Sequence, residues 1–535
     1  MKDKMIVTTA LCYANGPFHL GHLVEQIQAD IWVRFQRQQG KDCIFLSGED
    51  AHGTAIMLAA EKEGLSPKDY LKNILQNRLE DLSKFNISYD AYHSTESQEN
   101  KDISYEIFDR IKDEFIIKKE IDQLFDEEKQ MFLPDRFVKG TCPKCGAENQ
   151  YGDNCEQCGA FYEPTELINP ISVLSSTTPI IKSSTHLFFN LKKQQPHVMS
   201  WLKSADIQAQ AVNKLMEWLK EPLQDWDISR DPPYFGFKIP GYEDKYFYVW
   251  LDAPIGYIAA LKAFCNDNHN YDFDSLWWNK SVPVYHFIGK DILYFHAIFW
   301  PAVLNAAKLP TPSGIFTHGF LTINKVKMSK SRGTFITAKT YLENYPSDAL
   351  RYYFASKLTN TIQDIDIDWD DFVTKINSDL VGKIVNIGSR CAKIIEKNFN
   401  FNLTSEIACP EAKKVLNQII VSGDEIKTQF QDRQFAQAVK LISKCADLCN
   451  QYIDLKQPWK MVKDDNTKSD AQVCVSTAFL CFSQIMAYLA PITPDLANHY
   501  ATYLKIDLEW TMPALQKLPG SFPRLFERLE PNKIK

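Results

Sequence analysis

The sequence predicts an α/β protein in which a doubly wound parallel sheet is split by a long insertion and followed by a bundle of α-helices. Two observations predict this architecture. Strand-like and helix-like segments alternate over the first 60 residues and again from about residue 246, as they do in doubly wound sheets. Beyond about residue 383, apolar residues recur every three or four positions, which indicates helices.

The first half of the sheet is predicted from the opening segment of the chain. Met5–Thr9 is a short run of residues with β propensity, and residues 23–35 carry apolar side chains at spacings of four, as on one helix face. Pro17 is suited to open that helix and Gly40 to end it. Cys43–Leu46 is the next predicted buried strand.

The sheet pattern is lost between about residues 100 and 245, where charged stretches, prolines and a cysteine cluster occur. It returns at Tyr246–Trp250 and Tyr285–Gly289, so one sheet split by an insertion is the simplest account. In the C-terminal part, Ala471–Leu489 is a predicted apolar helix, and another ends at Pro458. The latter has an apolar face with alternating steps of four and three: Phe435, Val439, Ile442, Ala446, Cys449 and Ile453.

The composition is that of a folded protein. The 535 residues suggest about three or four domains, and 45% hydrophobic with 24% charged residues excludes wholesale disorder. We identify no run of about 18 uncharged apolar residues and no secretory signal, so we expect a cytoplasmic protein without a membrane partner. The odd number of cysteines, 13, argues against a disulfide framework. A net charge of -7 argues against a globally basic nucleic-acid binder but leaves room for a local basic patch.

The motif His19-Leu20-Gly21-His22 follows the first predicted strand. Its two histidines lie on one helix face, its glycine leaves the backbone open to close approach, and a helix N-terminus favours anions. An isolated motif of this kind is more often a pair of surface histidines or half a metal site. The position directly after a strand favours a cradle for a polyphosphate.

A second motif is the basic segment 325–333, with the sequence KVKMSKSRG. It carries four positive charges and no acid, and two serines add hydroxyl donors. Mobile cations can stabilise the charge that develops on a phosphate during transfer. Taken alone, the segment is more often a solvated loop. Neither a Walker-type motif nor a G-x-G-x-x-G motif occurs in the sequence.

A third motif is C-x2-C-x9-C-x2-C, formed by Cys142, Cys145, Cys155 and Cys158. Each pair is followed by a glycine, which suits the tight turn of a metal knuckle. Four thiolates at this spacing predict a structural tetrahedral zinc site. Iron binding or a metal-free knuckle are the alternatives.

Two further groups of residues are candidates for substrate binding. Glu49–Thr54 follows the second strand, where Asp50 could pair with a substrate ammonium group and His52 could reach nucleotide or substrate. A carboxylate that caps a helix is the alternative. An aromatic group near the strand ends is typical of a core, but it would also suit a polarisable thioether: Trp250, Tyr257, Phe295, His296 and Trp300.

Together these motifs resemble a known family. The HLGH and KMSKS segments resemble the two signatures of class I aminoacyl-tRNA synthetases, and the cysteine knuckles resemble the methionyl-tRNA synthetases of the bacterial zinc-containing type. Three more segments, Thr9–Gly16, Trp250–Tyr257 and His286–Asp291, carry the same resemblance, which runs from residue 5 to about residue 500. Cys12 stands where the family usually has proline, so we expect a less rigid loop there.

The resemblance implies a Rossmann-like catalytic domain in two parts, 1–97 and 246–320, with a zinc-binding connective insertion at 98–245. It implies a stem-contact region with the KMSKS loop at 321–382 and an α-helical anticodon-binding bundle at 383–535. The implied activity is ATP-dependent ligation of L-methionine to tRNA(Met), including the initiator, through methionyl-adenylate, with release of AMP and pyrophosphate. Homocysteine would be edited to its thiolactone. The implied cofactors are one structural Zn2+ and Mg2+ with ATP. We expect a monomer, because no C-terminal dimerisation module follows the bundle.

The resemblance also implies roles for particular residues. Those that stabilise the triphosphate would be His19, His22, Lys327 and Lys330. The ATP site would add Gly21, Ser329 and Asp291, supported by Arg230. The methionine site would be formed by Ala10, Leu11, Tyr13, Asp50, Trp250, Pro254, Tyr257, Phe295 and His296. The anticodon would be read by Asn386, Arg390 and Trp459, because a flat indole can stack on a splayed-out base. We also expect a basic tRNA-facing side that includes Lys383, Arg390 and residues 325–332.

Three other functions compete with this interpretation. A class I synthetase for a branched aliphatic amino acid would need a larger editing insertion than the roughly 150 residues available here. A small-molecule adenylyltransferase can share the H-x-G-H motif, but it needs neither a helical bundle nor a zinc insertion. A non-catalytic RNA-binding protein on a synthetase scaffold would not need intact HLGH and KMSKS motifs.

Overall fold

A computed structural model describes residues 3–277, 282–327, 335–407, 409–531 and 534. Its centre is a seven-stranded sheet in which all pairs are parallel. The spatial order is Asp206–Ile207, Gly314–His318, Val284–Gly289, Lys4–Thr9 and Asp42–Asp50, and the last strand also pairs with Cys12–Tyr13 and Ala91–Ser94. The fold class predicted from the sequence is confirmed.

The central strands are buried on both faces, as the doubly wound prediction requires. Met5, Val7 and Phe45 contribute to one hydrophobic core, while Ile6 and Ile44 contribute to a second core on the opposite face. The helices of this half of the chain are Leu20–Gln38, Thr54–Lys62, Pro67–Lys84, Gln98–Phe115, Val249–Asp267, Phe273–Trp277 and Trp300–Ala306. The first helix begins three residues after Pro17 and ends at Gln38, with Gly40 at a positive φ of 83°.

One predicted strand is not part of this sheet. In the run Tyr246–Trp250, only Tyr246–Phe247 is a strand, and it pairs antiparallel with Ser229–Arg230 outside the central sheet. The helix Val249–Asp267 begins directly afterwards. The aromatic and β-branched side chains of this run have β propensity, but their tertiary packing decides which of them form a strand.

The insertion consists mainly of antiparallel strands. Ile116–Asp126 and Ile180–Phe189 pair over ten positions, flanked by Met131–Phe132 and Trp226–Asp227. A small sheet of Gln150–Tyr151, Val138–Thr141 and Ile168–Ser172 lies next to the cysteine knuckles. The helices are Gln195–Leu202 and Ala209–Trp218, with short 3-10 turns at Asp135–Phe137, Pro164–Glu166 and Leu191–Gln194. Asp206–Ile207, between those helices, returns to form an edge of the central sheet.

A three-stranded sheet and short helices connect the two halves of the protein. Leu321–Ile323 pairs with Val326–Lys327 and with Ile365–Ile367. The helices of this region are Ala338–Leu342, Ser347–Ala355 and Trp369–Lys375. The bundle then comprises a π-helical segment, Ile376–Val385, and the helices Asn386–Phe399, Pro410–Gln431, Phe435–Lys456, Pro458–Met461, Lys468–Leu489 and Pro494–Leu504.

The bundle has the predicted apolar core. All six residues of the predicted face on Phe435–Lys456 are buried, and the helix ends where Gln457, before Pro458, takes a left-handed φ of 51°. Lys468–Leu489, predicted from the sequence as an apolar helix over Ala471–Leu489, is long and apolar enough by composition to cross a membrane. The most apolar 18-residue stretch of this helix is 89% buried inside the protein, so the helix is the central one of the bundle.

One buried ion pair joins the two halves. Arg351 is fully buried and donates to Oδ2 of Asp30 at 2.6 Å and to the carbonyls of Ile492 and Phe85 at 2.9 and 3.2 Å. Burial by itself would raise the pKa of Asp30, but Arg34 and Arg351 outweigh it and bring the pKa to about 2. The pair therefore links the first helix of the sheet domain to the last turns of the bundle.

We expect Arg351→Met to lower the free energy of unfolding by about 3–5 kcal/mol, because Asp30 would lose a buried cationic partner. The pKa of Asp30 is lowered in the folded protein, so its ionised carboxylate stabilises the fold above the unfolded-state pKa of about 3.9. This stabilisation is lost as the pH falls towards 2. Denaturant titrations between pH 7 and pH 3 would measure both effects. Lys357→Met, which removes a more exposed pair with Asp371, is the control and should cost at most about 1 kcal/mol.

Candidate active site

A cavity of about 690 Å³ opens at the carboxyl ends of the central strands. The structure brings together there all nine residues that sequence reasoning assigned to amino-acid binding: Ala10, Leu11, Tyr13, Asp50, Trp250, Pro254, Tyr257, Phe295 and His296. Four of the predicted ATP-site residues line the same cavity: His19, Gly21, His22 and Asp291. The parallel register explains this convergence, since Ala10 and Asp50 follow strands that end at the same edge.

Several predicted residues lie elsewhere. Trp300 is fully buried in the core, and its indole N–H donates to Nε2 of His286 at 3.3 Å. Arg230 does not line the cavity: its guanidinium lies 3.5 Å from the Tyr248 ring centre and pairs with Asp227 at 3.0 Å. Ser329, Lys330 and the side chain of Lys327 lie outside the described residues.

Residues on both sides of the basic segment nevertheless line the cavity. Leu321, before the segment, begins the strand with which Val326–Lys327 pairs. Phe335 also lines the cavity, and its ring centre is 5.1 Å from that of His19.

The two histidines of the HLGH motif cap the helix Leu20–Gln38. Nδ1 of His19 accepts from the backbone N–H of Gly21 at 3.1 Å, and Nδ1 of His22 accepts from the backbone N–H of His19 at 3.3 Å. Their rings stack with centres 3.6 Å apart. Since each Nδ1 accepts, the ring proton sits on Nε2. Burial, together with the nearby His19 and Arg78, holds the pKa of His22 well below its usual value, so this ring is a neutral donor.

The carboxylate of Asp50 lies at the other side of the cavity. Oδ1 of Asp50 is buried and has no hydrogen-bond partner among the described residues. Burial and the nearby Asp252 raise the pKa of Asp50 well above its usual value. A positively charged ligand group would relieve both effects.

His52 does not reach the cavity, contrary to the sequence expectation. It is fully buried, and its two ring nitrogens contact Asp252 and Glu96. Both nitrogens are engaged by carboxylates, so neither is available to a ligand. Its partners Asp252 and Glu96 lie far from it in the chain, so sequence spacing alone does not reveal them.

The apolar part of the cavity is made by the helix Val249–Asp267 and the π-helical segment Phe295–Phe299. Trp250 and Phe295 pack edge to face at 4.8 Å. Nδ1–H of His296 donates to the Ile292 carbonyl at 3.1 Å, so its Nε2 accepts from the Tyr257 hydroxyl at 2.8 Å. Burial lowers the pKa of His296 to about 4, which keeps this end of the cavity uncharged.

Arg78 holds the loop that carries Leu11 and Tyr13, and sequence reasoning missed it. Its buried guanidinium donates to the carbonyls of Cys12, Tyr13 and Gly16 at 2.9, 2.7 and 2.9 Å. The loop is therefore tied down although Cys12 replaces the proline of the family. No local pattern marks Arg78, because the three carbonyls that it holds lie more than 60 residues away.

Glu25 and His318 are two further cavity residues without a sequence signal. Oε2 of Glu25 lies 3.7 Å from Nε2 of His318. Burial raises the pKa of Glu25 although His318 opposes this shift. They place one ionisable pair beside the helix that carries the HLGH motif.

The four cysteines of the knuckles converge in the insertion. Their Sγ atoms all lie within 4.8 Å of one another, with 3.9 Å between Cys142 and Cys158 and 3.6 Å between Cys145 and Cys155. A tetrahedral zinc with bonds of about 2.3 Å needs sulfurs about 3.8 Å apart, so the residues fit this ion. Backbone N–H groups of Lys144 and Cys158 donate to two of the sulfurs.

The predicted anticodon residues share one exposed region of the bundle. Asn386 and Arg390 lie one turn apart on Asn386–Phe399, and the Arg390 guanidinium is 5.4 Å from the Trp459 ring centre. Trp459 is 37% exposed, unusually open for a tryptophan. The expected basic surface is mixed, because Lys383 pairs with Asp447 at 3.0 Å and Arg390 with Asp454 at 3.4 Å.

Comparison with known proteins places the chain in a family. Residues 5–392 match the family described as tRNA synthetases class I (M), and residues 412–518 match the anticodon-binding domain of tRNA ligase. The first match spans well over half of the chain, so the protein belongs to the class I (M) tRNA synthetases and is an enzyme of that class.

Solved structures of Mycobacterium tuberculosis methionyl-tRNA synthetase share the fold. One bound by methionyl-adenylate has a TM-score of 0.81 at 21% identity, and a second such complex has 0.79 at 22%; each alignment covers 98% of this chain and 100% of the other. The free form has a TM-score of 0.74 at 21% identity and covers 99% of both chains. At this identity the likeness is one of fold.

We expect Arg78→Lys to lower kcat/KM for amino-acid-dependent ATP–pyrophosphate exchange at least about tenfold, because one ammonium cannot reach three carbonyls. The amino-acid KM should carry most of the loss, since the loop holds Leu11 and Tyr13. Arg37→Lys is the matched control: Arg37 also donates to the carbonyls of Cys43 and Ser88, but outside the cavity. Equal losses of exchange activity in both variants would contradict the assigned role of Arg78.

Proposed function

We propose that the protein is a methionine–tRNA ligase of the bacterial zinc-containing type, which forms methionyl-adenylate from L-methionine and ATP and transfers the methionyl group to tRNA(Met), including the initiator. The main support is one cavity that combines an uncharged aromatic end, a carboxylate oxygen without a hydrogen-bond partner among the described residues, and a helix N-terminus with two histidines. These features suit an apolar side chain, an ammonium group and a polyphosphate, respectively.

In the first step the substrate carboxylate attacks the α-phosphorus of ATP, the P–O bond to the β-phosphate breaks, and pyrophosphate leaves. No protein nucleophile is required, so the chain's task is positioning and charge stabilisation. His19 and His22 donate Nε2–H to phosphate oxygens, a role fixed by their caps at Nδ1. Lys327, Ser329 and Lys330 would add donors from the basic segment, with Gly21 and Asp291 at the nucleotide. Mg2+ accompanies ATP and neutralises phosphate charge when bound.

The cavity would select methionine through the negative charge of Asp50 at one end and through aromatic rings that suit a polarisable thioether at the other. Asp50 binds the α-ammonium group, and Ala10, Leu11 and Tyr13 form the adjoining wall. Aromatic rings suit a thioether, which makes favourable sulfur–aromatic contacts. The aromatic and apolar residues concerned are Trp250, Pro254, Tyr257, Phe295 and His296.

The first experiment is ATP–pyrophosphate exchange with each of the twenty amino acids in the absence of tRNA. We expect methionine alone to drive exchange, and Asp50→Asn to raise the methionine KM at least about tenfold through the lost ion pair. Exchange driven by another amino acid would overturn the assignment of the aromatic pocket. A folded wild-type protein without any exchange would contradict the proposed activity.

We propose that zinc bound by Cys142, Cys145, Cys155 and Cys158 stabilises the insertion. Bound zinc supplies a tetrahedral cross-link between the two knuckles and no chemistry at the cavity. Replacing Cys145 with Ser should abolish stoichiometric zinc, measured by atomic absorption, and lower the melting temperature of the insertion. Cys265→Ser, outside the cluster, should keep one zinc per chain; loss of zinc there as well would contradict the assignment.

We propose that Asn386, Arg390 and Trp459 read the anticodon. Trp459→Ala should raise the KM for tRNA by about tenfold, the effect of losing one base stack, while leaving tRNA-independent exchange unchanged. Aminoacylation kinetics compared with exchange kinetics separate the two. Trp218→Ala, a similarly exposed tryptophan in the insertion, is the control. An equal rise in KM for both variants would contradict a specific anticodon contact.

Homocysteine is shorter than methionine by one methyl group, a difference that an apolar pocket resolves by only about 1–3 kcal/mol. We therefore propose editing, in which the homocysteine thiol attacks its own activated carboxyl, releasing AMP and the thiolactone. Incubation of the enzyme with homocysteine and ATP should yield thiolactone; accumulation of the adenylate alone would refute editing.

We assign domains at 1–97 with 246–320, 98–245, 321–382 and 383–535, and propose a cytoplasmic monomer. None of the 13 cysteines forms a disulfide, which suits a reducing compartment. Sedimentation of the purified protein tests the oligomeric state.

A further inference from the structure

A row of four alternating charges runs from the surface to a point beneath the cavity. Lys68, 73% exposed, pairs with Glu96 at 2.7 Å, and Glu96 pairs with Nε2 of His52 at 2.9 Å. Nδ1 of His52 contacts Asp252, which is 1% exposed. The fully buried His52 ring therefore lies between two carboxylates, of which Asp252 is buried and Glu96 is 20% exposed.

This row joins the two walls of the amino-acid site. His52 lies two residues after Asp50, in the loop that follows Asp42–Asp50. Asp252 lies on Val249–Asp267, the helix that also presents Trp250 and Tyr257 to the cavity. The His52 ring packs edge to face against Phe237 with ring centres 4.6 Å apart, which restricts its rotation away from the two carboxylates.

The charges of the row bear directly on Asp50. Asp252 disfavours the ionised form of Asp50, whereas His52 favours it. The groups that face His52 are Asp252 and Glu96 from two different elements, and Asp50 ends the strand two residues before it. Lys68, Arg78 and the phenols of Tyr13 and Tyr234 lie around these carboxylates. Two buried carboxylates near each other cannot both stay ionised without a nearby cation.

We propose that His52 is a positioning residue of the amino-acid site, whose imidazolium offsets the charge of Asp252 and thereby favours the anionic form of Asp50, to which the substrate ammonium group would bind. Asp252 and Glu96 raise the pKa of His52 to about 9 in spite of burial, which agrees with a permanent cation at neutral pH. The role rests on the proposed function only in taking an amino acid as the substrate of this cavity.

The test is the pH dependence of kcat/KM for amino-acid-dependent ATP–pyrophosphate exchange. His52→Asn removes the cation, so the pKa of Asp50 should rise, the acidic limb should move up by about one pH unit, and the amino-acid KM at pH 7 should rise about tenfold. The KM for ATP should stay within about twofold, since the phosphate end of the cavity is unchanged.

Asp252→Asn is the opposite change and preserves side-chain volume. It removes an anion while His52 remains, so the acidic limb should move to lower pH. In the double variant the two effects should largely cancel, and the limb should return near the wild-type position. A purely structural role would move both single variants in the same direction and make the double variant worse.

His186→Asn is the matched control, because His186 is also buried between two carboxylates, Asp227 at 2.7 Å and Asp231 at 2.8 Å, but outside the cavity. It should leave the amino-acid KM and the acidic limb unchanged. If the acidic limb of the pH profile is unshifted in both His52→Asn and Asp252→Asn, the proposal is overturned. If His52→Asn does not fold, an unshifted acidic limb in Asp252→Asn alone overturns it. All measurements use the amino acid that drives exchange in the wild-type protein. The role of His52 is therefore tested separately from the assignment of methionine as the substrate.

Discussion

Parallel pairing of Lys4–Thr9 with a neighbour on each side is the interaction on which the rest of the structure depends. Thr8 lies opposite Leu46 on one side and His286 on the other, so segments far apart in the chain end at the same edge. One side of the cavity follows from this register, because Asp50 ends its strand and the segments after the other two strands carry Leu11 and Asp291. A slip of one residue would turn each strand's core residues to the wrong face.

The protein keeps charges inside its core, and each has a partner that ties distant elements together. Arg351 joins Asp30 to the bundle, Arg78 holds three carbonyls of the loop after the first strand, and His52 sits between two carboxylates. Such groups are costly to bury unless they are paired. Their partners come from other elements, so pairing selects one arrangement of those elements, and that arrangement shapes the cavity.

Asp50 differs from these residues because its buried Oδ1 has no partner among the described residues. The Nδ1 atoms of His19 and His22 each accept from the backbone, which fixes the orientation of both rings. The surroundings of the cavity are thus fixed before a ligand binds. A satisfied scaffold around a carboxylate oxygen without a partner is typical of preorganised sites.

The sequence by itself determined features that depend on residues close in the chain. The helix Phe435–Lys456 and its buried face follow from apolar spacing, and the cysteine knuckles follow from paired residues with a following glycine. The position of HLGH at a helix start follows from its place after a strand. Tertiary structure alone decided that Tyr246–Trp250 is not a core strand, that Asp206–Ile207 joins the sheet, and that His52 does not reach the cavity. It also brought in Arg78, which holds three carbonyls more than 60 residues away. Periodicity and turn chemistry report local preferences, whereas strand pairing and the partnering of buried charges are set by contacts between distant segments, which leave no local pattern.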